Sequence, residues 1–115
     1  MKLIRSSEAD WEEGKGYRKR QLISEEQLGI EGSFLQEVSF RQGESVPMHY
    51  HMSTKEVFLP LDEAEFVING ESITIKPGDV LVCEPGDRHG NPVIRRPFRI
   101  LVLKVGFVPD DTVWS

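Results

Sequence analysis

The sequence predicts a single all-β domain, built as an antiparallel β-barrel or jelly roll. Short apolar strand patterns recur along the chain, separated by Gly, Pro and Asn turns at intervals of roughly 8 to 12 residues. No stretch has a sustained helical period, so we expect any helix to be short and peripheral. At 115 residues, the chain has room for one domain and can bury a core without disulfides.

Composition excludes several classes of partner. The chain has 14 basic and 19 acidic residues and a net charge of −5, which opposes binding to nucleic acid or to an anionic membrane. Cys83 is the single cysteine, so no intrachain disulfide can form, and we interpret it as a small core residue. Residues 1–8 lack the apolar segment of a signal peptide, and no apolar run is long enough to span a membrane. We therefore expect a cytoplasmic protein.

Residues 1–31 are predicted to form an N-terminal lead-in that packs on the barrel or on a partner subunit. The segment is charged and irregular, and Trp11 is its large aromatic residue. Its basic run Arg18-Lys19-Arg20 follows a group of acidic residues, and we interpret it as a solvated face.

The predicted barrel covers residues 32–105, and residues 106–115 form a C-terminal tail. Its first strand places Phe34, Gln36, Val38 and Phe40 on one face. Gln36 is polar on that face, so it either lines a polar cavity or is an amide at a sheet edge. The next strand patterns cover residues 46–52 and 56–61, and Pro60 predicts that the second of these ends, bulges or lies at an edge.

The clearest local pattern is a β-hairpin over residues 66–75. Its centre is Asn69-Gly70 between apolar strands, which favours a type I′ turn. Turns follow at residues 76–79 and 84–87, each with Pro-Gly at its centre. Between them we predict a short strand at residues 80–83, and the last strong strand pattern covers residues 98–105.

The chain is organised around a stretch that contains His49, His51 and Glu56. Alternate residues of a strand share a face, so both imidazoles can reach one ion. A short polar link leads to Glu56, and the third and last histidine, His89, follows the Pro85-Gly86 turn. Three imidazoles and a carboxylate suit a divalent transition metal such as Mn, Fe, Ni or Zn. The plainer alternative is a polar strand with scattered histidines.

These residues resemble the two motifs of the cupin family. Gly43, His49, His51 and Glu56 match the spacing of the first motif, and Gly78-Asp79 through Pro85-Gly86 to His89 is similar to the second. The resemblance covers residues 32–105. It implies a small cupin-type β-barrel or jelly roll with a metal ion in its lumen, bound by His49, His51, Glu56 and His89.

Three positions depart from the motifs of the family. Glu63 replaces the usual glycine that closes the first motif, and Glu84 replaces a proline of the second. Val93 stands where the second motif usually has asparagine, with Asn91 nearby. None of them matches a ligand position, so they bear on loop shape and substrate rather than on metal binding.

Two functions from different classes remain open. One is a metal-dependent enzyme, an oxygenase or a lyase or isomerase, that acts on a small polyoxygenated or enolisable molecule. The other is a non-catalytic module that binds a sugar or effector, since a fold does not determine function. A purely structural ion is a third alternative. Arg41 and Arg88 are candidates for anchoring a substrate carboxylate, with a solvated salt bridge as the alternative for each. Glu84 is interpreted as a surface turn residue, and no general base is predicted.

An outward apolar row predicts a homodimer. If Glu56 and Phe58 face the lumen, then Val57, Leu59 and Leu61 face outward. Such a row needs cover from the second sheet, the N-terminal segment or another subunit.

Overall fold

The computed structural model describes residues 1–115 and contains two antiparallel β-sheets. Eleven strands alternate with short turns, and the helical structure is limited to one turn of 3₁₀-helix at Ser6–Glu8 and the short helix α1, Glu25–Leu28. The strands are β1 Glu12–Glu13, β2 Arg18–Ile23, β3 Phe34–Phe40, β4 Val46–His51, β5 Lys55–Pro60, β6 Ala64–Ile68, β7 Glu71–Ile75, β8 Leu81–Cys83, β9 His89–Asn91, β10 Phe98–Val105 and β11 Thr112–Trp114.

The strands cross between sheets as in a jelly roll. Sheet A has the order β1-β2-β3-β10-β5-β8, and sheet B has the order β11-β4-β9-β6-β7. Strands that are distant in sequence are therefore neighbours, for example β3 and β10. The predicted all-β antiparallel fold is confirmed.

The predicted barrel strands appear in the structure with small shifts at their ends. β10 has the predicted bounds, and β5 ends at Pro60, whose missing N–H removes a donor from the ladder. The sequence pattern does not predict four of the strands: β1, β2, β9 and β11. Each is short or charged, so its sequence lacks the apolar alternation by which strands are recognised.

The hairpin between β6 and β7 has the predicted turn. Asn69 has φ 50° and Gly70 has φ 84°, the two positive values that a type I′ turn requires. Ile68 then pairs with Glu71 across a two-residue loop. Because a one-residue change in the loop would reverse the faces of β7 relative to β6, this turn fixes which side chains of β7 face the core.

The N-terminal lead-in contributes strands to sheet A, and the interpretation of its basic run as a solvated face is wrong. β2 pairs with β3, so Arg18-Lys19-Arg20 is half-buried. Arg20 donates to Glu37 Oε1 at 3.0 Å, and the guanidinium groups of Arg18 and Arg20 lie over the ring of Trp11. The run is half-buried because pairing with β3 places Arg20 against the buried carboxylate of Glu37 and Arg18 against Ser39.

The helices lie at the periphery. Ser24 caps α1 by accepting a hydrogen bond from the Gln27 backbone N–H, and the Gln27 side chain accepts one from the Ser24 N–H. Gly29 ends the helix in the left-handed conformation. No helix of the protein has the length and apolar character needed to cross a membrane.

The apolar core fills one end of the lumen between the sheets. Its aromatic rings form a row of contacts between the sheets. Measured between ring centroids, Phe58 stacks on Phe66 at 5.3 Å, Phe66 contacts Phe98 at 5.7 Å, and Phe98 stacks on Phe40 at 4.6 Å. Cys83 belongs to this core and is 2% exposed, as the sequence predicts. The other end of the lumen is polar and carries the candidate site.

Candidate metal centre

The four predicted ligand residues lie together inside the barrel. His49 and His51 come from β4, Glu56 from β5 and His89 from β9, and each offers one donor atom. These atoms all lie within 4.8 Å of one another. His51, Glu56 and His89 are buried, while His49 is half-buried.

A β-bulge orients the two histidines of β4. Val46 pairs with Asn91 and His49 pairs with His89, with a one-residue shift in register between them. Without this shift the lumen face that contains Val46 would continue through the even-numbered residues. The bulge moves it to the odd-numbered ones, so that both histidines point inward.

Glu56 lies at the centre of the cluster. Its Oε1 is 2.8 Å from His51 Nε2 and 3.1 Å from His89 Nε2, and its Oε2 is 3.5 Å from Lys104 Nζ. Burial raises the pKa of Glu56, but the adjacent imidazoles and Lys104 outweigh it and hold the pKa well below its usual value. Glu56 is therefore an anion within a buried site.

Each imidazole has a second contact at Nδ1. The Nδ1 atoms of His49 and His89 lie 2.8 Å from the carbonyl oxygens of Pro47 and Asp87, respectively. A carbonyl only accepts, so these Nδ1 atoms carry the hydrogen and Nε2 faces the cluster. Contacts of this kind orient metal-binding histidines and fix their tautomer.

His51 has side chains as its second contacts. Its Nδ1 lies 3.1 Å from Thr112 Oγ1 and 3.4 Å from Asp111 Oδ1. Asp111 is fixed in turn because its Oδ2 accepts hydrogen bonds from the backbone and hydroxyl groups of Ser53 and Thr54. These bonds tie the C-terminal segment to the link between His51 and Glu56.

His49 and His89 differ in protonation state. Burial lowers the pKa of His49 to about 4, so that it is neutral near pH 7. Burial also opposes the charge on His89, but Cys83 and Glu56 outweigh it and raise the pKa of His89 to about 10. In the metal-free protein, a proton therefore lies between His89 and Glu56. A cation bound there would replace this proton.

The donor set fits a divalent transition metal. His51 Nε2 is buried and makes no hydrogen bond, because Glu56 Oε1 is close to it but not aligned with an N–H. A cation between the two acceptors would satisfy both.

A cavity of about 140 Å³ adjoins the cluster. Its wall includes the three histidines and Glu56, together with Tyr17, Gln36, Asn91, Lys104, Trp114 and several core aromatic residues. Gln36 belongs to an inner strand of sheet A and lines this cavity, so of its two predicted positions the cavity is correct and the sheet edge is wrong.

Both ends of the chain form part of the mouth of the cavity. Trp114 on β11 contacts His49 at 4.8 Å between ring centroids, and Lys15 lies over the Trp114 ring at 4.4 Å. Tyr17 enters from the N-terminal side and contacts Phe40. Burial, with Glu56 nearby, raises the pKa of Tyr17, so its phenol stays protonated near pH 7.

The other polar candidates lie outside the cavity. Arg41 is exposed and pairs with Glu13 at 3.5 Å, and Arg88 is exposed and donates to Ser115 Oγ. Arg41 therefore forms the solvated salt bridge that the sequence leaves open, whereas Arg88 lies on the surface with a hydroxyl group as its partner. Glu84 is also exposed and pairs with Lys55 at 3.1 Å, as expected for a surface turn residue.

The three departures from the cupin motifs lie in loops, and Asn91, near the third of them, lies on β9. Asn91 is 5% exposed, lines the cavity and donates to the backbone oxygen of Glu65, whereas Val93 is 66% exposed. At the β5–β6 turn, Glu63 has a negative φ. This turn is held instead by Asp62, which accepts hydrogen bonds from the backbone and side chain of Arg99.

Sequence reasoning missed Tyr17, Lys104, Asp111, Thr112 and Trp114. A signal for Lys104 was present, because it continues the alternation of Phe98, Ile100 and Val102 on the lumen face of β10. Nothing local indicates the other four, since they reach the site through the pairing of β11 with β4 and through the N-terminal loop.

Comparison with known proteins agrees with the fold and the motifs. Residues 36–103 match the model of the cupin domain. The chain belongs to the cupin family. No curated protein sequence matches the chain.

Solved cupin structures superpose over nearly the whole chain. A predicted oxalate decarboxylase from Thermotoga maritima is 24% identical, with 90% of this chain and 98% of that chain covered and a TM-score of 0.77. The polyketide cyclase RemF from Streptomyces resistomycificus is 20% identical, with 96% and 89% covered and a TM-score of 0.77. KdgF from Halomonas sp. is 18% identical, with 95% and 98% covered and a TM-score of 0.77.

Proposed function

We propose that this cupin is a metal-dependent enzyme that acts on a small polyoxygenated or enolisable molecule. The ion would be Mn, Fe, Ni or Zn, bound by His49, His51, Glu56 and His89. The observation that carries the proposal is the convergence of these four donors, within 4.8 Å of one another, at a cavity. An ion with four protein ligands and a neighbouring cavity has positions open to substrate, which distinguishes a catalytic site from a structural one.

When bound, such an ion can polarise a carbonyl, acidify water or hold an oxygen ligand beside dioxygen. The chain itself would orient the substrate and exclude water. Its cavity is smaller than the roughly 300 to 1,000 Å³ of pockets for drug-sized ligands, which supports a small substrate. Tyr17 adds a protonated phenol that can donate a hydrogen bond to a substrate oxygen.

Turnover tests the proposal and separates the reaction classes. Chelated protein would be reloaded with Mn, Fe, Ni or Zn and incubated with small hydroxy acids, keto acids and sugar acids, with and without oxygen. A lyase or isomerase consumes a substrate equally in both atmospheres, and an oxygenase consumes it only with matching oxygen uptake. The His51→Ala variant is the control and should be inactive.

A binding module is the second candidate, and the aromatic part of the cavity favours it. Phe40, Phe58, Phe66 and Trp114 line the cavity and offer apolar faces to a ligand. A binding module predicts that members of the same panel raise the melting temperature of the protein without being consumed. That result would contradict the enzymatic proposal.

We also propose an oligomeric state and a cellular location for the protein. A homodimer is supported by the apolar outer face of sheet A, where Val57 and Leu59 are half-buried. A cytoplasmic location is supported by the single, buried cysteine, which requires no oxidising compartment.

A further inference from the structure

Lys104 places an ammonium group in the wall of the cavity. On β10, Phe98, Ile100 and Val102 face the lumen and are almost fully buried, and Lys104 is the next residue on that face. Its strand neighbours are Phe34 on β3 and Glu56 on β5. A lysine is thus built into the interior beside the carboxylate of the candidate metal centre.

The ammonium group of Lys104 has two contacts within the chain, an ion pair with Glu56 and a cation–π contact with the Phe107 ring at 5.7 Å. Nζ lies 3.5 Å from Glu56 Oε2, at ion-pair distance, but it makes no hydrogen bond to any protein group. The side chain is only 16% exposed. Since an ammonium group has three N–H donors and loses solvation when buried, it should recruit acceptors from whatever occupies the cavity.

The buried charges around the cavity indicate the charge of the molecule that would bind there. Glu56 and Asp111 contribute two negative charges, and both side chains are less than a tenth exposed. Lys104 and a divalent ion contribute three positive charges, and neutral histidines add none. The loaded site therefore has a net charge of +1, which an anion would neutralise.

We propose that Lys104 binds a carboxylate of the substrate, so that the site takes small monoanionic hydroxy or keto acids in preference to neutral polyols. This inference rests on the proposed function, because it assumes that a metal occupies the neighbouring ligands. The metal-binding oxygen and the carboxylate would lie on one small molecule, in keeping with a cavity of about 140 Å³.

Ligand binding by a charge-removing variant tests this assignment. Wild type, Lys104→Met and the control Lys55→Met would be loaded with Co(II), assayed for metal content and titrated with glycolate and its neutral analogue glycolamide. Lys55→Met is a suitable control because it removes the same charge from the chain, while Lys55 pairs with Glu84 at the surface rather than lining the cavity. Should Lys104→Met not fold, Lys104→Gln replaces it.

We expect all three proteins to bind one Co(II). Lys104→Met should bind glycolate about 10- to 100-fold more weakly than wild type, the usual effect of losing a hydrogen bond to a charged group. Glycolamide binding should be unchanged, and Lys55→Met should behave as wild type.

Three results would contradict the role of Lys104, and they can be told apart. Equal glycolate binding by wild type and Lys104→Met overturns the role of Lys104 and leaves the metal centre standing. Loss of Co(II) from Lys104→Met also overturns it, since Lys104 would then only support Glu56. Absence of Co(II) from wild type removes the proposed function, and the inference with it.

Discussion

At the scale of single residues, His51 connects the candidate metal centre to the C-terminal segment. One nitrogen faces Glu56, and the other lies between Thr112 and Asp111. The orientation of this ring is therefore set by residues some sixty positions away in sequence. Such second contacts raise the basicity of a ligand and hold its tautomer.

Replacing Thr112 should weaken metal binding without removing a ligand. Thr112→Val removes the hydroxyl 3.1 Å from His51 Nδ1 while keeping the shape of the side chain. We expect metal affinity to fall about 10- to 100-fold, as for other contacts of this kind. A competition assay with a chelator measures it, and Thr112→Ser, which keeps the hydroxyl, is the control. Equal affinity of Thr112→Val and wild type would contradict this role.

Asp111 predicts a pH-dependent contribution to stability. Burial raises the pKa of Asp111, but four hydrogen bonds from Ser53 and Thr54 outweigh it and lower the pKa to about 2, from an ordinary value of 3.8. Because the folded pKa is the lower one, the contribution is fully present above about pH 4 and is lost as the pH falls toward 2. The shift corresponds to roughly 2 kcal/mol.

The variant Asp111→Asn separates this contribution from the rest of the protein. Metal-free Asp111→Asn should be less stable than the wild type by roughly 2 kcal/mol at pH 6, and the difference should shrink below pH 4. Urea unfolding at several pH values measures it. A difference that stays constant from pH 6 to pH 3 would show that the carboxylate charge is not involved.

How far the site is predictable depends on sequence distance. His49, His51 and Glu56 lie on neighbouring strand patterns, His89 follows a recognisable turn, and the resemblance to the cupin motifs implies that the four bind one ion. Asp111 and Thr112 join them through the pairing of β11 with β4, which has only three residues on β11 and no apolar alternation. No local property of a tail of this kind indicates which strand it will join.

At the scale of elements, the loop before β2 positions Tyr17 in the cavity. Gly16 has φ +84°, and a Cβ at this position would lie 1.9 Å from the backbone oxygen of Ser45. The loop can approach β4 this closely only because Gly16 has no side chain. The sequence predicts that the lead-in packs on the barrel or on a partner, but a charged strand such as β2 gives no sign that its loop enters the lumen.

Gly16→Ala should therefore displace the loop and Tyr17. Gly29 is the matched control, since it has φ +76° and a Cβ added there would have nothing within 4 Å. Gly29→Ala should cost only the left-handed conformation, roughly 1 to 2 kcal/mol of unfolding free energy. Gly16→Ala should cost a further 1 to 3 kcal/mol or so, because backbone must move. Equal losses in urea unfolding would mean that the loop moves freely.

At the scale of the whole molecule, one face of sheet A remains without cover. The alternation that sends Glu56 and Phe58 inward leaves an outward apolar patch on four neighbouring strands. It consists of Leu35, Val57, Leu59, Val82, Leu101 and Leu103, which are half-buried or exposed and lie opposite one another in the strand register. Exposed patches of this kind mark contact surfaces.

Leu103→Glu tests whether this patch joins two chains. Leu103 pairs with both Leu35 and Val57, at the centre of the patch. We expect the wild type to sediment at about twice the chain mass of 13.1 kDa and Leu103→Glu at about that mass. The control Val93→Glu changes an exposed residue outside sheet A and should sediment as wild type. A monomeric wild type at micromolar concentration would refute the homodimer.

The fold class is easier to predict from the sequence than the order of the strands in each sheet. Turn residues fix strand ends locally, as at Asn69-Gly70, and apolar alternation fixes the faces. The order of strands in each sheet depends on which distant segments pair. The position of a charged strand such as β2 depends on contacts like that of Arg20 with Glu37 rather than on its own sequence pattern.

The metal content of the purified protein tests the central claim most directly. Elemental analysis of tag-free wild type beside His51→Ala should find close to one divalent transition metal ion per wild-type chain and little in the variant, with both proteins folded by circular dichroism. Equal metal in the two proteins, or none in wild type supplied with each candidate metal, would contradict the assignment of His49, His51, Glu56 and His89 as its ligands.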